Sequence, residues 1–212
     1  MKKIYVFDLD GTLIDSMPHY SRGILSILDE AGISYDSELI KILTPLGNRK
    51  SAQYYIEHFG LAREVDELTR EIEEKMIYAY NNLIDAKSGI HELLKKLSDQ
   101  GARLFVLTAS PHLTTDACLK KNGLYDRFET VWSVDDYRLT KSDTRIFYEL
   151  ANRIGCKPEE IHYFDDSLIA LDNAKAAGLI TYGVHDAQSD EEIARMKRDF
   201  DHYVDSFSDF EP

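Results

Sequence analysis

Four short apolar runs constrain the fold of this chain more than any other feature: Ile4–Phe7, Leu104–Leu107, Val131–Val134 and Ile161–Phe164. Each stops at a polar residue, respectively Asp8, Thr108, Asp135 and Asp165. Short continuous apolar runs bounded in this way read as strands buried on both faces, the kind that parallel sheets contain. Between them lie stretches of helical period with start and stop signals. Ser88 opens one, running from Gly89 to Leu97, and Gly101 closes it, while Gly123 and Gly178 end two others. A fifth run, Ile180–Val184, precedes an acidic helix and a short tail through Tyr203–Phe207. This alternation predicts an α/β fold with a doubly wound parallel sheet.

Residues 15–83 break the rhythm. Leu25, Leu28, Leu39, Leu43, Tyr55, Phe59, Leu68, Ile72 and Met76 recur at helical spacing with no strand between them. A crossover between parallel strands needs only about a dozen residues, so the excess predicts a small all-helical cap domain at 15–83, inserted into a core formed by 1–14 and 84–212.

Composition narrows the partners. With Lys+Arg 25 against Asp+Glu 38, the net charge of -13 opposes binding to a phosphate backbone or an anionic membrane. The two cysteines, Cys118 and Cys156, are too few for a disulfide framework and fit a reducing compartment. The apolar stretch after Met1-Lys2-Lys3 ends at Asp8, too early for an export signal. The expectation is a cytoplasmic protein, monomer or weak homodimer, with neither nucleic acid nor membrane as partner.

Ligands of open parallel sheets bind beyond the carboxyl ends of the strands. There the sequence places Asp8-Leu9-Asp10-Gly11-Thr12, Thr108-Ala109-Ser110, Asp165-Asp166-Ser167 and, after the third strand, Lys141. Asp-Gly signals a tight turn, and a polar strand end is one reading of Asp8 and Asp10. A calcium loop is another, but it requires glycine and glutamate where Leu13 and His19 stand. Four carboxylates on one rim repel one another, and burial raises their pKa values unless a cation compensates. Lys141 offsets one charge, and a hard divalent cation such as magnesium offsets more while leaving room for a phosphate oxygen.

The segment Phe7–Leu13, Thr108, Lys141 with Phe147, and Asp166-Ser167 with Ala176-Ala177-Gly178 together resemble the haloacid dehalogenase superfamily of phosphohydrolases. The likeness covers nearly the whole chain and is closest to the subgroup with a helical cap after the first motif, which includes phosphoglycolate phosphatase-like and β-phosphoglucomutase-like enzymes. It implies a Rossmann-like core, with Asp8 as the nucleophile that becomes an aspartyl phosphate and Asp10 as acid and base. It implies phosphate binding by Thr108, the backbone at Ala109 and Lys141, and a Mg2+ cofactor on Asp8, the Asp10 carbonyl and Asp166. The chain departs from the pattern in having Asp165 before Asp166 and Ala170 in place of a second acid. Asp165 is expected to reach the metal through water or to turn toward Lys141. Possible substrate contacts are His19 and, in the cap loop Thr44–Arg49, Arg49, whose planar fork suits a phosphate or carboxylate; both also read as solvated side chains. Tyr54, Tyr55, Tyr78 and Tyr80 sit mostly at helical spacing and read as cap core. The expected function is a magnesium-dependent phosphatase acting on a small phosphorylated metabolite. The alternatives are a β-phosphoglucomutase-like phosphotransferase and a catalytically weak member serving as a binding module.

Overall fold

Along the chain, β1 (Ile4–Phe7) is followed by four helices, α1 (Met17–Glu30), α2 (Leu39–Leu43), α3 (Gly47–Phe59) and α4 (Val65–Asn82). Helices and strands then alternate: α5 (Ile90–Asp99), β2 (Arg103–Thr108), α6 (His112–Lys121), β3 (Thr130–Ser133), α7 (Arg145–Ile154), β4 (Ile161–Asp165), α8 (Leu168–Ala176), β5 (Ile180–Val184), α9 (Asp190–Asp199) and β6 (His202–Val204). The computed structural model describes residues 2–36, 38–43 and 46–211. It divides into two compact units, Met1–Asp15 with Asp85–Pro212, and Ser16–Ile84.

The first unit is built on a six-stranded sheet in the order β3-β2-β1-β4-β5-β6, every pair parallel. All four residues of β1 are buried because the strand is central and covered on both faces, which is why its sequence is an unbroken apolar run. On one face Ile4, Val6, Phe105, Leu107 and Tyr163 pack with Phe147 and Leu150 of α7 and Leu171 and Ala174 of α8. The other face is aromatic. Phe7 stacks on Phe164 at 4.7 Å between ring centroids, Phe164 on Tyr182 at 4.2 Å, and Tyr5 on His162 at 4.8 Å. The C-terminal tail extends this layer, with Phe210 edge-on to Phe164 at 5.7 Å.

The strands lie close to the sequence reading but not on it: β2 and β4 run on into the polar residues Thr108 and Asp165, and β2 and β3 begin one residue earlier, at Arg103 and Thr130. The third strand ends at Ser133 rather than Val134, because the Ser133 hydroxyl accepts the Asp135 N–H at 3.3 Å and caps a 3-10 turn over Val134–Asp136. The tail contains a sixth strand, β6, where only an extension was expected. Three residues carry too little period to register, and the strand exists through its pairing with β5.

The second unit is entirely helical among its described residues. α1 buries Ile24, Ile27 and Leu28, and α4 buries Leu68, Ile72, Met76, Ala79 and Tyr80. Tyr55 of α3 is fully buried and donates its hydroxyl to the Ile24 carbonyl at 2.8 Å. Tyr78 does not join this core; it is 60% exposed. Tyr54 stacks on His58 one helical turn away, at 3.8 Å. Among the described residues no helix is long and apolar enough to cross a membrane.

Candidate active site

Asp8 follows the last residue of β1 and is still held in the sheet, since its N–H donates to the Phe164 carbonyl at 2.8 Å. The chain then folds tightly: the N–H groups of Leu13 and Ile14 converge on the Leu9 carbonyl at 2.9 and 3.1 Å, and Gly11 N–H reaches the Ile14 carbonyl at 3.1 Å. Gly11 has φ +72°, and a Cβ there would lie 2.6 Å from Asp166 Oδ2. Glycine therefore both permits the turn and lets the Asp166 carboxylate rest against it.

The neighbouring strands complete the group. The Lys141 ammonium donates to Asp8 Oδ1 and, at 2.8 Å, to Asp165 Oδ2. The side chains of Lys141, Asp8 and Asp165 are 11%, 5% and 0% exposed, so this bridge is almost free of solvent screening. Asp165 also accepts the Ser167 N–H at 2.8 Å on Oδ1 and the Tyr163 hydroxyl on Oδ2. Thr108, buried at the end of β2, accepts the Ser110 N–H at 3.0 Å. The Ser110 hydroxyl donates to Asp10 Oδ2 at 2.6 Å. Ala109, between them, is exposed.

Burial pushes the Asp8 carboxyl up to about 8; Lys141 pulls against this, while Asp165 and Asp10 add to it. Burial, followed by the Asp165 and Asp8 charges, holds Asp166 well above the carboxylate range. Burial works to lower the Lys141 ammonium, but the facing Asp165 and Asp8 carboxylates outweigh it and raise it. One ammonium is thus too little positive charge for the carboxylates gathered there. Asp8, Asp165 and Asp166 can each turn one oxygen to a common point, all within 4.8 Å of one another. An oxygen-only donor set with excess negative charge fits a hard divalent cation. The Asp10 carboxylate is not in this trio and is turned to Ser110.

Asp8, Asp10, Thr108, Lys141 and Asp166 therefore lie within one unit, at the carboxyl ends of β1, β2 and β4 or, for Lys141, in the loop after β3. The two candidate substrate contacts lie in the helical unit. His19 lines a groove between α1 and α4 with Arg22 and Tyr78. Arg49 pairs with Asp66 at 2.5 Å, both side chains being mostly exposed. Of the loop before Arg49, Thr44 and Pro45 lie outside the described residues. Ser110 and Tyr163 are the site residues to which sequence reasoning assigned no role. Ser110 stood just beyond a strand end, and Tyr163 read only as strand core. The usable signal for Tyr163 was parity, since residues two apart on a strand share a face with the terminal Asp165.

Comparison with known proteins supplies the lineage. The chain is 23% identical to the phosphorylated carbohydrates phosphatase of Thermotoga maritima over 180 residues, covering 84% of this chain and 83% of that one. It is 27% identical to the fructose-1-phosphate phosphatase YqaB of Escherichia coli over 182 residues, 82% of this chain and 92% of that one. Its fold superposes on that of CbbY from Rhodobacter sphaeroides with a TM-score of 0.77 and 21% identity, covering 99% of this chain and 96% of the other. The model of the family described as haloacid dehalogenase-like hydrolase matches residues 5–184. That span runs from within β1 to the end of β5 and includes every carboxylate, hydroxyl and ammonium group described above, so the chain belongs to the haloacid dehalogenase-like hydrolases.

Proposed function

We propose that the protein is a magnesium-dependent phosphatase that hydrolyses a small phosphorylated metabolite through an aspartyl phosphate on Asp8. The observation that carries this reading is the buried Asp8–Lys141–Asp165 bridge with Asp166 beside it. Asp8 is a carboxylate whose ionised, nucleophilic form needs added positive charge, in a setting that also attracts a phosphate. Asp8, Asp166 and the Asp10 carbonyl are the groups that would hold Mg2+, which supplies charge neutralisation for Asp8 and the transferring phosphoryl oxygens.

In this reading Asp8 attacks phosphorus, and the bond to the leaving oxygen breaks as Asp10 gives that oxygen a proton. Asp10 then takes a proton from the water that attacks the acyl phosphate, which regenerates the Asp8 carboxylate and releases inorganic phosphate. Lys141 and the N–H groups around Thr108–Ser110 stabilise the charge on the transferring group. The chain enters the helical unit at Ser16, six residues after Asp10, and that unit is the cap that selects the substrate in this reading. The relatives named as phosphatases of phosphorylated carbohydrates and of fructose 1-phosphate point to a sugar phosphate or a similar small phosphomonoester.

The test is hydrolysis of p-nitrophenyl phosphate with and without Mg2+, followed by a panel of phosphorylated sugars and acids. Turnover that depends on Mg2+ and disappears in Asp8→Asn is expected. Equal turnover by Asp8→Asn and the unaltered protein removes the assignment.

A further inference from the structure

A buried carboxylate is tolerated when hydrogen bonds and opposite charge replace the water it has lost. Asp165, fully buried, has three such partners: the Lys141 ammonium, the Ser167 N–H and the Tyr163 hydroxyl. Two of them belong to the general layout of the site, being the lysine and the backbone of the turn into α8. The third comes from a strand residue whose ring lies in the hydrophobic core. Tyr163 is 0% exposed, its ring meets Phe147 edge-on at 5.1 Å between centroids, and it packs in the same cluster as Ala170 and Leu171 of α8. Nothing in that cluster requires a hydroxyl; phenylalanine would fill the same volume. The one polar atom of the ring is spent on Asp165.

The distribution of donors on the two Asp165 oxygens gives this contact its consequence. Oδ2 accepts both Tyr163 and Lys141, and Oδ1 accepts Ser167. A carboxylate oxygen has two in-plane lone pairs, so Oδ2 is filled on the side where Lys141 passes on to Asp8. Tyr163 thereby prevents Asp165 from rotating about its Cβ–Cγ bond, and Lys141 has a fixed anchor on the far side from Asp8.

We propose that Tyr163 is a positioning residue: through its hydroxyl it locks the Asp165 carboxylate as the anchor of Lys141, and so reserves Asp165 for the lysine rather than for the metal. Of the three clustered carboxylates, Asp8 and Asp166 are then the side-chain metal ligands, and Asp165 serves the ammonium that neutralises the transferring phosphoryl group. This inference rests on the phosphatase reading for its catalytic consequence, but its claim about Asp165 can be tested without any turnover.

Four variants test it: Tyr163→Phe, Asp165→Asn, the double variant of these two and Asp166→Ala, with p-nitrophenyl phosphate as substrate and Mg2+ binding measured separately by calorimetry on substrate-free protein. Tyr163→Phe is expected to remain folded, to lose about tenfold in kcat, the size expected for one hydrogen bond to a charged group, and to change KM by less than about twofold. Asp165→Asn is expected to lose more, and the double variant to be no slower than Asp165→Asn, because the hydroxyl acts only through that carboxylate. Losses that multiply in the double variant overturn the proposal, as does Tyr163→Phe with unchanged kcat or with its fold lost. Mg2+ affinity in Tyr163→Phe is expected to equal or exceed that of the unaltered protein, whereas Asp166→Ala binds Mg2+ far more weakly. A drop in Mg2+ affinity in Tyr163→Phe comparable with that of Asp166→Ala would mean that Asp165 is itself a ligand, and overturns the assignment. If the unaltered protein hydrolyses nothing, the phosphatase reading fails alone and the calorimetric result still decides the role of Asp165.

Discussion

Asp10 and Ser110 show how much a single hydroxyl can decide. In the proposed reading Asp10 both gives and takes a proton, a role that works best when its orientation is fixed, and Ser110 holds one oxygen of Asp10 at 2.6 Å. Ser110→Ala should lower kcat several-fold while Asp10→Asn, which removes the proton carrier, should lower it about 10²–10⁴-fold. Steady-state kinetics on the two variants check this order, and a larger loss in Ser110→Ala would mean that the serine itself handles the proton. Gly11 makes a sharper case. Any side chain there would meet Asp166 and would have to adopt φ +72°, so Gly11→Ala is expected to raise the Mg2+ concentration needed for half-maximal activity by tenfold or more. An unchanged Mg2+ requirement would show that Asp166 is not held against this turn. Asp8, Asp10 and Asp166 could be placed on one rim from the sequence because strand ends and turn residues announce themselves, whereas Thr108 and Lys141, ordinary when taken singly, stood out only through their joint placement with those carboxylates. Which oxygen of which carboxylate receives which donor could not be named, because that depends on side-chain direction at contacts such as Tyr163 with Asp165, made only after the strands have paired.

At the scale of elements, the first five strands were legible and the last, on one edge of the sheet, was not. β1 and β4 are buried along nearly their whole length and leave continuous apolar runs, whereas β6, with His202 exposed, is defined by its partner rather than by its own residues. The tail after β6 was legible only as a stretch containing aromatics, yet it packs firmly against the return of the chain into α5. Gly89, at the start of that helix with φ +81°, would place a Cβ 2.4 Å from the Ser208 backbone nitrogen. Backbone cannot swing away as a side chain does, so Gly89→Ala should cost about 2–4 kcal/mol from left-handed strain plus displacement of the tail. Urea denaturation checks the value. In a chain that already lacks residues 206–211, Gly89→Ala should cost less than it does in the full chain by the part of the loss that is due to the clash, and an equal cost in the two backgrounds would mean that the strain lies wholly in the turn.

For the whole molecule, pH acts at the carboxylates and also far from them, through a histidine in the aromatic layer. Burial, with Lys3 and His202 nearby, lowers His162 to about 4, and its Nδ1 lies 2.9 Å from the Tyr182 hydroxyl. In the unfolded chain the same imidazole takes up its proton near pH 6.5. Between roughly pH 6.5 and 4 this imidazole binds more protons in the unfolded state than in the native one, so its own contribution to stability falls as the pH falls through that window, while Asp8 and Asp166, whose carboxyls are raised in the native state, contribute in the opposite direction. His162→Phe removes that contribution, so the urea midpoint at pH 5 relative to pH 7 should be higher in the variant than in the unaltered protein, and an unchanged relative midpoint would show that His162 does not titrate on unfolding. The strand order carries a consequence of another kind, one that concerns synthesis. β1 emerges first and sits between β2 and β4, so its second edge stays unpaired until β4, beginning at Ile161, has been made. At roughly 5–20 residues per second, the apolar Ile4–Phe7 segment spends about 8–30 s on the ribosome without that partner, long enough for a chaperone to bind it or for neighbouring nascent chains to aggregate through it.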